Sequence, residues 1–137
     1  MINKSFLYNI LLVSVFLLSI LFLSCDDTIT NNDIDNVTIP SKDVSFAKYL
    51  QPVFNVKCTS SGCHDDITTA ASYSLTTWSN AVIPGIVDPF SVETSRIVWR
   101  IEGIGVPIMP PIGPTPPLTL NQIKGIKTWI SEGAQNN

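Results

Sequence analysis

The chain has 137 residues and a formal net charge of −3, and 17 of its first 24 residues are apolar against 44 of the remaining 113. The part after Ser24 is enough for one small domain that buries roughly two-thirds of its unfolded surface, which excludes a two-domain architecture. No Lys/Arg cluster of more than two occurs, so the electrostatic footprint of a nucleic-acid binder is missing.

Lys4 precedes an apolar run from Phe6 to Leu23 that ends at Ser24, Cys25, Asp26 and Asp27. A basic start, an apolar stretch and a small residue before a boundary predict an export signal over 1–24. The run is also close to the roughly 20 residues that span a bilayer, so a retained membrane anchor is the other reading. Leu21-Phe22-Leu23-Ser24-Cys25 resembles a bacterial lipobox, which implies lipidation of Cys25 and a lipid-anchored domain in the bacterial cell envelope. Leu23 stands where a smaller residue is commoner. On either reading the domain lies outside the cytoplasm.

Residues 25–43 carry five Asp and one Lys and show no helical or strand period, which predicts an acidic, flexible tether. The folded domain is expected over 44–137. Its first helix is predicted from Val44 to about Lys57, with Phe46, Leu50, Val53 and Phe54 on one face and a kink or restart at Pro52. A second follows Asp88-Pro89, with Val92, Ile97, Val98 and Ile101 at near-helical spacing before Gly103. The third has a Thr119/Gln122 capping box, a Leu118/Ile123 staple, an Ile123-Ile126-Ile130 face and a stop at Gly133. Gly125 within it costs about 1 kcal/mol relative to Ala, so a close backbone neighbour is expected there. With no sustained strand alternation, the fold class is all-α: a small helical domain with long loops. Its core is thin, and a disulfide, metal or cofactor is expected to complete it.

With Cys25 assigned to lipid, Cys58 and Cys63 remain, in the string Cys58-Thr59-Ser60-Ser61-Gly62-Cys63-His64. His64 is the chain's one histidine. Two thiols followed by an imidazole form the arrangement that attaches a c-type heme, the thiols to its vinyl groups and the imidazole to iron. A disulfide closing a short loop is the plainer alternative in an oxidising compartment. Zinc would need Asp65 or Asp66 as a fourth ligand, an uncommon set. Met109 is the one methionine besides Met1, so any thioether ligand must come from it, although a lone methionine is more often a gap filler. Six of the ten prolines lie between Pro107 and Pro117 and stiffen its surroundings.

The heme-type string resembles that of a monoheme c-type cytochrome. Ser95-Arg96-Ile97-Val98-Trp99-Arg100-Ile101, Met109-Pro110-Pro111, Leu118-Thr119 and Trp129-Ile130-Ser131-Glu132-Gly133-Ala134 are similar to planctomycete-type cytochrome c domains, a likeness running from Phe46 to Ala134. The resemblance implies a cytochrome c-like fold around one covalently bound heme c, thioether links at Cys58 and Cys63, His64 as proximal and Met109 as distal iron ligand, and single-electron transfer. The family usually has two residues between the cysteines. Here there are four, which requires a bulged loop that Ser60, Ser61 and Gly62 are small enough to form.

His/Met ligation fills both axial positions, which suits an electron carrier better than an enzyme, and no catalytic Ser/His/acid set or phosphate loop is present. After loss of 1–24 the chain holds 7 Lys/Arg against 11 Asp/Glu, so redox partner proteins are expected to present a basic docking surface. Two other functions stay open: a heme-based sensor or peroxidase-like protein in which Met109 leaves the iron, and a disulfide-tied structural lipoprotein without cofactor. Trp78, Trp99, Trp129, Phe54 and Phe90 are core or pocket-lining candidates. Ser95 and Arg96 are either a propionate-binding pair or part of a solvated helix face.

Overall fold

The structure, a computed structural model, describes Lys4, Tyr8, Asn9, Val13, Ser14 and residues 29–113 and 115–137. Cys25, most of the export segment and the first residues after it lie outside the described residues. Among the described residues no helix is long and apolar enough to cross a membrane. They form helices and loops without a strand, apart from one isolated bridge between Asp88 and Ser91.

Five α-helices are described: α1 (Asn31–Asp35), α2 (Gln51–Lys57), α3 (Trp78–Ala81), α4 (Arg96–Glu102) and α5 (Leu120–Ser131). α5 forms as its sequence predicts. The Thr119 hydroxyl accepts the Gln122 N–H while the Gln122 side chain accepts the Thr119 N–H, and Gly133 sits at φ +100°, which favours glycine. Its inner face sends Ile126, Trp129 and Ile130 into the core, where each isoleucine contributes roughly 1.5–3 kcal/mol of burial. Phe46 packs on Trp129 at 5.2 Å between ring centroids.

The helix predicted from Val44 divides at its proline. Phe46–Leu50 is a π-helical turn capped by the Ser45 hydroxyl, and α2 continues with Pro52 as its second residue, where a missing N–H leaves no helical bond unmade. The predicted second helix starts later than its sequence suggests. The Asp88 carboxylate accepts the Gly85 N–H behind it instead of capping a helix ahead, and the chain turns at Phe90 (φ +65°) before α4 opens at Arg96. Its end is as expected: Gly103 takes φ +69°. Two short helical segments carried no periodic signal, α3 and the 3-10 turn Ala70–Ser72.

The tether expectation fails for 29–43. α1 is held by a Thr30/Asp33 capping box, and Ile34, Ile39 and Val44 are buried in the domain. The Asn121 side chain accepts the Ile39 N–H at 2.8 Å and donates to the Ile39 carbonyl at 3.1 Å, while the Glu132 carboxylate accepts the N–H groups of Asp43 and Val44. Three well-spaced apolar anchors and these backbone bonds seat the arm despite its polar composition. The neighbour that Gly125 accommodates is therefore a side chain rather than a backbone: a Cβ at Gly125 would meet Ile39 Cγ2 at 2.6 Å.

Candidate functional site

α2 delivers Cys58 as its C-terminal cap, with the Cys58 N–H bonded to the Phe54 carbonyl. The next residues form the bulge that a four-residue spacing requires. Cys63 N–H donates to Ser60 O at 2.9 Å and His64 N–H donates to Cys58 O at 3.0 Å, which closes the loop on itself. Gly62 makes the turn at φ +88°, a conformation that costs a side-chain-bearing residue about 1 kcal/mol or more. Asp65 braces the loop from below by accepting the N–H groups of Thr68, Ile67 and Gly62, and those bonds hold its carboxyl below the usual carboxylate range.

His64 is oriented by two contacts with one residue. Its ring stacks on Tyr73 at 4.3 Å between centroids, and Nδ1 lies 3.3 Å from the Tyr73 carbonyl oxygen. A carbonyl only accepts, so this bond assigns the proton to Nδ1 and leaves the Nε2 lone pair free to bind a Lewis acid. A backbone carbonyl on the second ring nitrogen is the usual way a protein fixes a metal-binding histidine.

Met109 arrives from the other side of the sequence, on the Pro-rich segment after α4. Its N–H donates to Arg100 O at 2.8 Å, and the Met109–Pro110 peptide is cis. Cys58, Cys63, His64 and Met109 all line one cavity of about 330 Å³. Phe54, Leu75, Ile97, Ile101, Leu118 and Ile126 give it an apolar wall. The helices thus bring a local cluster and a residue 45 positions beyond His64 to the same space, where an apolar group would be sheltered from water.

No protein-family model, curated protein or solved structure matches the chain.

Cys58 and Cys63 are both unpaired and half-buried. Burial, reinforced by the neighbouring Cys63, pushes the Cys58 thiol up to about 12, with Lys57 opposing, so Cys58 is a neutral thiol near pH 7. Although Cys58, Cys63 and His64 line one cavity, among the described residues no three His, Cys, Asp or Glu side chains stand close enough together to hold a single metal ion, as a zinc site would require.

The aromatic candidates separate clearly. Phe54 lines the cavity, whereas Trp129 is core, Trp78 donates its indole N–H to Ala134 O away from it, and Trp99 and Phe90 are exposed. Ser95 is fully buried and its hydroxyl is committed to the Asp88 N–H and the Ser91 carbonyl, while Arg96 points to solvent. The arginine on the cavity is Arg100, one helical turn beyond Arg96. Tyr73 and Lys57 also line it and were not singled out by the sequence. For Arg100 the available signal was its helical register with Ile97; for Tyr73, which lies in irregular chain, the sequence carried none.

Proposed function

We propose that the chain is a lipid-anchored monoheme c-type cytochrome that carries single electrons between redox partners of a bacterial cell envelope. The observation that carries this reading is the convergence of two unpaired thiols, an oriented imidazole and a thioether on one apolar cavity. This donor set fits heme c. Cys58 and Cys63 would hold the group through thioether bonds, and His64 and Met109 would ligate its iron. Bound there, the heme would supply a one-electron ferric/ferrous couple.

The chain's own residues do the rest. The Tyr73 carbonyl keeps the His64 proton on Nδ1 and the Nε2 lone pair available. Phe54, Leu75, Ile97, Ile101, Leu118 and Ile126 exclude water and so favour the less charged redox state. Arg100 places a permanent cation on the wall, suited to an acidic edge of the bound group. The excess of Asp and Glu beyond Ser24 lies in residues 26–43, since 44–137 hold six of each sign, and it is this N-terminal stretch that supports a basic partner surface. Lipidation at Cys25, and the export that goes with it, rests on the sequence up to and including Leu21-Phe22-Leu23-Ser24-Cys25.

The test is to express the full chain with heme-maturation machinery beside a control cytochrome, then stain a denaturing gel for heme and record the alkaline pyridine spectrum. A stained band with the spectrum of a thioether-linked heme is the expected result. A colourless band in cells that mature the control would refute the proposal.

A further inference from the structure

Among the described residues Lys57 is the one lysine whose side chain is completely shielded from solvent, and neither heme attachment nor ligation would use it. Its ammonium lies 2.7 Å from the Asp35 carboxylate and donates to the Pro117 carbonyl at 2.8 Å. These partners belong to two separate parts of the chain. Asp35 ends α1 of the N-terminal arm, and its carboxylate also accepts from Gln122 Nε2 of α5 at 2.9 Å. Pro117 ends the segment that begins at Met109.

Among its described residues that segment is poor in bonds of its own. Five of its nine residues, 109–117, are prolines, which have no N–H to give. At its start the Met109 N–H is tied to Arg100 O; at its end the Pro117 carbonyl is tied to Lys57. A buried ammonium is tolerated only where it is paired and hydrogen-bonded, so Lys57 holds both partners or neither well.

We propose that Lys57 is a positioning residue for Met109, a buried clasp that ties the far end of the Met109 segment to the seated N-terminal arm and so fixes where the thioether stands on the cavity wall. This rests on the reading of Met109 as an iron ligand for its purpose, but not for its geometry. Loss of the clasp releases the Pro117 carbonyl and leaves the segment tied at Met109 to Arg100 O and, past its end, only at the Leu118-Thr119 cap of α5. Undocking of the arm has the same effect, because it takes Asp35 from Lys57.

The full chain is prepared as wild type, Lys57→Met and Asp35→Asn, and two signals are read: hydrogen exchange at the Met109 amide, and the weak long-wavelength absorption of ferric heme bound to a thioether. Lys57→Met is expected to speed Met109 exchange on the order of tenfold or more and to diminish the thioether absorption, with heme staining retained. Asp35→Asn shifts both signals in the same direction by less, and it decides the matter should Lys57→Met fail to fold. Folded variants with wild-type exchange and wild-type thioether absorption would overturn the clasp while leaving the cytochrome reading intact. If the wild-type chain carries no heme, the cytochrome reading falls, and the exchange rates still decide the clasp.

Discussion

Replacing Gly125 with alanine measures how firmly the N-terminal arm sits on α5. The new Cβ would stand 2.6 Å from Ile39 Cγ2, 3.0 Å from Cδ1 and 3.2 Å from Cβ. Carbon atoms rest at about 3.5–4.0 Å, so the arm must retreat by nearly an ångström or the Ile39 side chain must leave its rotamer, an overpacking cost of about 1–3 kcal/mol. Alanine offsets about 1 kcal/mol of this by its better helix propensity. The net expectation is a destabilisation of up to about 2 kcal/mol. In an Ile39→Ala background, itself less stable by about 2–5 kcal/mol, the two closest atoms are gone and Gly125→Ala should become stabilising by about 1 kcal/mol. Urea unfolding of the four proteins gives the coupling, expected at about 1–3 kcal/mol with an unchanged m-value. If Gly125→Ala stabilises the native-sequence protein as much as it stabilises the Ile39→Ala variant, Ile39 is not seated against α5 and the reasoning fails.

Met109→Ala should keep covalent heme, lose the ferric thioether absorption and lower the reduction potential; an unchanged spectrum would remove Met109 as ligand. His64→Ala should abolish stable holoprotein and Cys63→Ser should leave at most one thioether, both read by mass and heme stain, with normal attachment in His64→Ala as the refuting result. Acid should act through Asp88, whose carboxyl is held below the usual range by the Gly85 N–H and the Thr94 hydroxyl. Because its folded value is depressed, its contribution is complete above about pH 4, the unfolded value, and fades as pH falls through the folded one. Asp88→Asn should therefore flatten the acid limb of a stability-versus-pH curve, and an unaltered limb would assign that sensitivity elsewhere.

Where local chemistry decides an element, the sequence was a good guide. The Thr119/Gln122 box, the Pro52 break and the Gly103 stop each act within four residues, and all three stand where they were expected. The cavity was legible in outline because its four chemical residues are rare types in this chain, even though Met109 is distant from the rest. The N-terminal arm was not legible. Ile34, Ile39 and Val44 are five residues apart, which is no helical or strand period, and the bonds that seat them come from Asn121 and Glu132 more than 80 positions away. The start of α4 was misjudged because Asp88-Pro89 has the composition of a helix cap while the Asp88 side chain turns backward to Gly85. For Arg96 the solvated-face reading is the one the structure supports, and Arg100, one turn on, lines the cavity without having been weighed for it.

The seated arm also sets a distance. Under the lipid-anchor proposal, a leash free from Cys25 to Val44 would let the domain range about 65 Å from its membrane, whereas an arm already committed at Thr30 leaves five residues, at most about 18 Å. The domain would then ride against the bilayer instead of sweeping the space above it. Electron exchange would favour partners embedded in, or lying on, that same membrane.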